Sequence, residues 1–169
     1  MPQEFAPGSP FALLSEAETA AWYAYMKVYL RLDHELNRQL RADSGLSLAD
    51  YHVLVALTSE PGGRMRVSDL AIRIGWERSR LSHHLKRMRD RGLVGTDAVP
   101  EDRRATGVTL SEAGWEALRR AAPEHVEFVR KAFLDALEPG ELAQLATLLE
   151  RVYDTLIEHG SLPRPSDHP

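Results

Sequence analysis

Apolar residues recur at spacings of three and four along the first third of the chain. Trp22, Tyr25, Tyr29, Leu32 and Leu36 mark one face of a long helix that ends near the sequence RADSG. Ser15, with Glu18 three residues on, supplies a capping box at its start. Ser47 opens a second helix, with Asp50 at its third position and Val53, Leu54 and Leu57 on its apolar face. The segment SEPGGR breaks that helix. VSDLAIRIG is a short third helix with a turn at Gly75, and Glu77 to Arg91 is a fourth, stopped by Gly92 as a left-handed cap.

After Gly92 the period changes. LVGTDAV and ATGVTL are short β-branched runs joined by PEDRR, the pattern of a two-stranded hairpin. Ser111 then caps a fifth helix with Glu112 in its first turn, and Trp115 and Leu118 begin its apolar face. Pro123 predicts a bend there, because it lacks an N–H and its ring crowds the preceding turn. Phe128, Phe133 and Leu137 extend the helix, and EPGE interrupts it. Leu142, Leu145, Leu149, Val152 and Leu156 form a last helical stripe.

The order helix, helix, helix, helix, hairpin, helix, helix is all-α with a small β-hairpin wing. Its centre is a winged helix-turn-helix, and helical arms from both termini flank it. The boundaries follow: a flexible tail over 1–14, a long helical arm over 15–45, a winged helix-turn-helix over 46–110, C-terminal helices over 111–158, and a second tail over 159–169. Both tails are rich in proline.

Charge alters this picture in one respect. The whole chain carries a formal net charge of −4. Between Arg64 and Arg104, however, there are 11 Lys and Arg against 6 Asp and Glu, a local balance of +5. The remainder holds 10 basic and 19 acidic residues, or −9. A basic module in an acidic frame is the footprint of a phosphate-binding surface.

Composition excludes several chemistries. There is no cysteine, so disulfides, thiolate catalysis, a cysteine zinc site and a cysteine peroxide sensor are ruled out. No G-x-S-x-G, H-E-x-x-H or phosphate-cradling glycine loop is present, so an enzyme is not expected. His83 and His84 are adjacent on a helix and point about 100° apart, which disfavours a shared ion; neither a metal nor a cofactor is expected. No apolar run approaches the ~20 residues of a membrane span. The N-terminus lacks the order of a signal peptide, so a cytoplasmic protein is expected.

The fourth helix carries the candidate chemistry. Leu81, Leu85 and Met88 fall at i, i+4 and i+7 and should face the core. Ser79, Arg80, Ser82, His83, Lys86 and Arg87 then project elsewhere, with donors suited to base edges and phosphates. A helix can enter a major groove of duplex DNA, and an arginine-tipped ribbon can reach the neighbouring minor groove. The competing reading is a winged helix that binds only other proteins; the basic face and wing arginines separate the two. Trp22, Tyr25, Tyr29, Tyr51, His52 and Trp115 are candidates to line a cleft between arm and DNA module, although an aromatic stripe at helical spacing is more often core.

The stretch from Leu46 to Gly114 is similar to the core of the MarR family of bacterial transcription regulators. Its most specific part is GLV, the Asp-x-Arg pattern of the wing, and V-x-L-S-E-A-G in register. The resemblance implies an obligate homodimer on pseudo-palindromic double-stranded DNA, dimerised through the first and last helices. It also implies frequent release by a small aromatic or phenolic ligand. It assigns base reading to Arg80, Ser82 and His83. In the wing, Arg104 should enter the minor groove, Asp102 should brace it or pair with a recognition-helix arginine, and Arg103 should meet phosphate. His84 stands where the family commonly has an apolar residue, so its direction is left open.

Overall fold

The computed structural model describes residues 8–99 and 105–165, together with the backbone of residues 102–104. The helices are α1 (Glu16–Ser44), α2 (Leu48–Thr58), α3 (Val67–Arg73), α4 (Arg78–Asp90), α5 (Glu112–Ala132) and α6 (Pro139–His159). The strands are β1 (Arg64–Arg66), β2 (Val94–Val99) and β3 (Asp102–Leu110).

The helix starts follow local side-chain chemistry. Ser15 accepts from the Glu18 N–H while Glu18 accepts from the Ser15 N–H at 2.8 Å. Ser47 and Asp50 make the same reciprocal pair at 3.0 and 2.9 Å. Each box satisfies two of the N–H groups that a helix start leaves unpaired. Ser111 caps α5 through the Gly114 N–H. At the end of α4 the chain must turn sharply into the wing, and Gly92 does so at φ +75°, a conformation that side chains disfavour.

The sheet has three strands, in the order β1-β3-β2, all antiparallel. The expected hairpin is β2 and β3, and β1 is an addition to it. Only Met65 of its three residues points inward, so it carries no readable alternation. A register irregularity between Ala98 and Val99 lies near the wing tip.

One expectation for the C-terminal part needs correction. Phe133 and Leu137 do not extend α5: the helix ends at Ala132, and Leu134–Ala136 form a 3-10 turn. Pro139 explains part of this, since a residue before proline is driven to extended backbone and Pro139 itself occupies the first turn of α6. EPGE therefore opens α6, with Glu138 and Glu141 as a capping box. α5 runs on through Pro123. Residues 10–13, within the expected N-terminal tail, form a 3-10 turn, and Phe11 packs edge-on against Tyr23.

The core is built from the central segment. Leu40, Leu46, Val53, Leu54, Leu57, Leu70, Leu81, Met88 and Val108 are fully buried. α5 contributes Ala117, Leu118 and Ala121 to the same cluster. α6 contributes no buried residue at all. The chain thus has one well-filled core under α4 and the wing, and an arm whose apolar face is uncovered in a single copy. No helix of the described residues is long and apolar enough to cross a membrane.

Candidate nucleic-acid interface

α4 is amphipathic in the expected sense. Leu81, Leu85 and Met88 are buried, whereas Ser79, Arg80, Ser82, His83, Lys86 and Arg87 are exposed. His84 turns inward with the apolar set. Arg80 lies over the Trp76 ring, 4.1 Å from its centroid, which holds a flexible side chain along the helix surface. The Ser82 hydroxyl donates back to the Arg78 carbonyl at 2.8 Å and keeps its lone pairs for an outside donor.

Between α4 and the sheet runs a groove of about 210 Å³. Val67 and Leu85 give it apolar lining, and Arg78, Ser82, Lys86, Arg89, Thr96 and Thr106 give it polar lining. Three cations and three hydroxyls around one concavity suit an anion. Arg78, Arg89, Thr96 and Thr106 are not singled out by the sequence pattern. The signal for the arginines was there: positions 78, 82, 86 and 89 recur at helical spacing and share one face. Arg89 also donates to the Thr96 hydroxyl at 3.1 Å, tying α4 to β2.

The wing is braced part-way along its strands. Arg64 on β1 reaches across β3 to Asp97 on β2 at 3.0 Å and to the Ala98 carbonyl at 3.4 Å. It crosses at Gly107, where an added Cβ would lie 2.9 Å from the Asp97 carboxylate and 3.0 Å from the guanidinium. A bare backbone at this position is what lets the pair span the middle strand. Asp102, Arg103 and Arg104 begin β3, and their side chains lie outside the described residues.

Beneath α4 sits a buried polar cluster. Asp50, almost wholly buried, accepts from Arg91 Nη1 at 2.7 Å, and its Oδ1 lies 3.0 Å from His84 Nε2. Burial alone would raise the Asp50 carboxyl. Contacts from His84, the Ser47 N–H, Arg91 and the Ser47 hydroxyl overcome it and hold the group well below the usual carboxylate range. Arg73 is buried too, donating to the Ala56 carbonyl at 3.1 Å and to Glu60 at 2.7 Å.

The aromatic candidates fall into separate groups. Trp22, Tyr25 and Tyr29 form a half-exposed ladder on α1, with ring centroids 5.5 and 6.0 Å apart. Tyr51 packs on His125 at 4.2 Å, and burial pushes its hydroxyl up. His52 is held below the usual imidazole range by desolvation, partly opposed by Asp33. Trp115 packs against the central core. Among the described residues no ring contact joins the α1 ladder to Tyr51, His52 or Trp115. No group of three or more His, Asp or Glu among them is arranged to hold a metal ion.

Comparison with known proteins bears on this arrangement. The family model described as MarR family matches residues 44–105. AbsC, a MarR family transcriptional regulator from Streptomyces coelicolor, is 38% identical, with a TM-score of 0.82 over 86% of this chain and 98% of that one. Sco3205, a MarR family transcriptional regulator from the same organism solved in complex with DNA, is 35% identical, with a TM-score of 0.84 over 89% and 94%. The PcaV transcriptional regulator of that organism, solved with its natural ligand, is 26% identical, with a TM-score of 0.64 over 75% and 89%. The amphipathic fourth helix, the braced wing and these matches agree: the chain belongs to the MarR family of transcriptional regulators.

Proposed function

We propose that the protein binds a pseudo-palindromic operator in duplex DNA as a homodimer and represses transcription from it. α4 would enter the major groove, with Ser79, Arg80, Ser82, His83, Lys86 and Arg87 toward bases and phosphates. The wing would follow the backbone to the adjacent minor groove, where Arg104 would enter, Arg103 would meet phosphate and Asp102 would brace the tip. The observation that carries this reading is the division of α4. Its apolar residues are all buried, and its exposed face continues into a groove walled by Arg78, Lys86 and Arg89. That Sco3205 was solved in complex with DNA supports the DNA-binding reading.

Dimerisation follows from the arms. α6 buries nothing within its own chain, and α1 leaves Trp22, Tyr25, Val28, Tyr29 and Leu30 exposed. Two such arms packed about a two-fold axis would bury upwards of ~2,000 Å². A dimer that covers its operator excludes polymerase, so repression is the expected output. Release by a small aromatic or phenolic ligand is part of the proposal, supported by the half-exposed α1 ladder and by the ligand complex of PcaV. Such a ligand would favour a dimer whose recognition helices are wrongly spaced.

Selection of bound sequences from a random duplex pool tests the reading, followed by titration of variants at several salt concentrations. Arg80→Ala should cost ~1–3 kcal/mol and relax preference at particular base pairs. Arg104→Ala should weaken binding mainly where A·T flanks lie under the wing, and Arg103→Ala should flatten the salt dependence by about one unit. A wild-type protein that enriches no sequence would refute the proposal and favour a protein-interaction module. Failure of aromatic acids and phenols to raise Tm would remove the ligand.

A further inference from the structure

Two of the arginines on the exposed face of α4 are held by partners on or under the helix. His84 is nearly buried, in a position where an apolar side chain would pack without needing a partner. A buried imidazole must have its two nitrogens accounted for. Its Nδ1 lies 3.0 Å from Arg87 Nη2. A guanidinium keeps its protons and only donates, so Nδ1 must be the lone-pair nitrogen. A neutral imidazole has one N–H, which therefore sits on Nε2. That nitrogen lies 3.0 Å from Asp50 Oδ1, in ion-pair range though off the N–H line, and it makes no hydrogen bond. The anionic carboxylate beside Nε2 favours a proton there over a lone pair, so carboxylate and guanidinium favour the same tautomer.

The carboxylate is itself fixed from three sides. Its other oxygen accepts from the Ser47 N–H at 2.9 Å and from Arg91 at 2.7 Å, and Arg91 also donates to the Gly45 carbonyl at 3.2 Å. Trp76 closes the remaining side of the imidazole, edge-on at 5.4 Å, and carries Arg80 on its own ring. The start of α2 is thereby linked through one imidazole to the exposed surface of α4.

We infer that Asp50 and His84 are positioning residues for base recognition: Asp50 sets the tautomer of His84, and His84 Nδ1 holds Arg87 in a single pose on the exposed face, with Trp76 doing the same for Arg80. This deepens the DNA-binding reading and rests on it. An arginine that is already ordered loses less freedom on binding. One immobilised side chain corresponds to roughly a three- to tenfold difference in affinity.

The test separates positioning from packing. His84→Gln keeps an N–H toward Asp50 and a carbonyl acceptor for Arg87, whereas His84→Leu packs but offers neither. Competition titration on randomised half-sites should show His84→Leu losing roughly three- to tenfold discrimination at the base pairs that Arg87→Ala also affects. His84→Gln should retain it. The double variant His84→Leu/Arg87→Ala should discriminate no worse than Arg87→Ala alone, because His84 acts through Arg87. Additive losses in the double variant, or full discrimination in His84→Leu, would overturn the inference. A second readout needs no DNA and no stable variant: ¹⁵N shifts of the His84 ring in the full-length wild type. For the neutral ring they should report Nε2–H with a pyridine-like Nδ1, and an Nδ1–H ring would overturn the tautomer chain. If the wild type selects no DNA sequence, the DNA-binding reading falls by itself, and the ring spectrum still decides the link from Asp50 to Arg87.

Discussion

The double substitution Leu149→Asp/Val152→Asp should convert the proposed dimer to a monomer without unfolding the winged-helix module. In a single chain Leu148, Leu149, Val152 and Leu156 keep 51%, 49%, 55% and 62% of their surface exposed. Fully burying a side chain of this kind gains about 1.5–3 kcal/mol, so covering the exposed half gains about 1 kcal/mol. Four residues on each of two protomers then contribute roughly 8 kcal/mol, set against an association cost of roughly 4–15 kcal/mol. The aromatic face of α1 has to supply the surplus. Replacing two of the four residues removes about 4 kcal/mol, or about a thousandfold in the dimer Kd. Burying the new carboxylates adds to the loss. Sedimentation equilibrium reads the Kd directly, and circular dichroism checks the fold. Because α6 gives no residue to the core, Tm of the module should change little. A variant that associates within tenfold of wild type would show that α6 is not the interface, and a wild type that is monomeric at micromolar concentration would remove the dimer altogether.

Asp50 titrates below the usual carboxylate range, so its stabilising contribution is present above about pH 4 and is lost as the solution is acidified from there. Asp50→Asn should flatten the fall in urea midpoint below pH 4, and a slope equal to that of wild type would refute the pairing. His125 is held below the usual imidazole range, first by burial and then by the nearby His52. The unfolded chain therefore takes up the proton first, and stability should fall as pH drops through about 6.5. His125→Gln should make that loss smaller, and parallel curves would count against it. Gly114 faces the backbone so closely that a Cβ would lie 2.2 Å from the Leu93 carbonyl oxygen and 2.7 Å from Leu110 Cδ1. Gly114→Ala should cost about 2–3 kcal/mol and lower Tm by roughly 5–10 °C, and a variant as stable as wild type would show that the strand end can shift.

Features set by neighbouring residues were legible in the sequence. The caps at Ser15, Ser47 and Ser111 bond within three residues, so composition and spacing reveal them. The inward set of α4 follows from helical period. What the pattern misses depends on contacts distant in sequence. Arg91 meets Asp50 across 41 positions, and Arg64 meets Asp97 across 33. Neither pair has a periodic signature. His84 turns inward to within 3.0 Å of the Asp50 carboxylate, which lies on another helix. β1 was invisible because three residues with one inward side chain carry no alternation, and its partner strand lies some forty residues on. The aromatic ladder shows the limit from the other side. Its spacing reveals a shared face on α1, but spacing alone does not say what that face meets.

Counting charges also needs the structure. Of the 11 basic residues between Arg64 and Arg104, at least three pair with carboxylates of the same chain: Arg64 with Asp97, Arg73 with Glu60 and Arg91 with Asp50. The local balance of +5 therefore describes a segment, not a surface. These pairs differ in consequence. Arg64 and Asp97 are both largely exposed, so their bond is worth little to stability and matters through the geometry of the wing. Arg73 and Asp50 are buried, and removing either partner would leave a charge or donors without water. Of the cations that remain, Arg78, Lys86 and Arg89 line one groove. Much of the acidic excess belongs to other elements, and solvent-exposed charges more than about 8–10 Å apart are screened at ordinary salt. A protein of net charge −4 can thus present a cationic face, because the arrangement of a few side chains on α4 outweighs the sum over the chain.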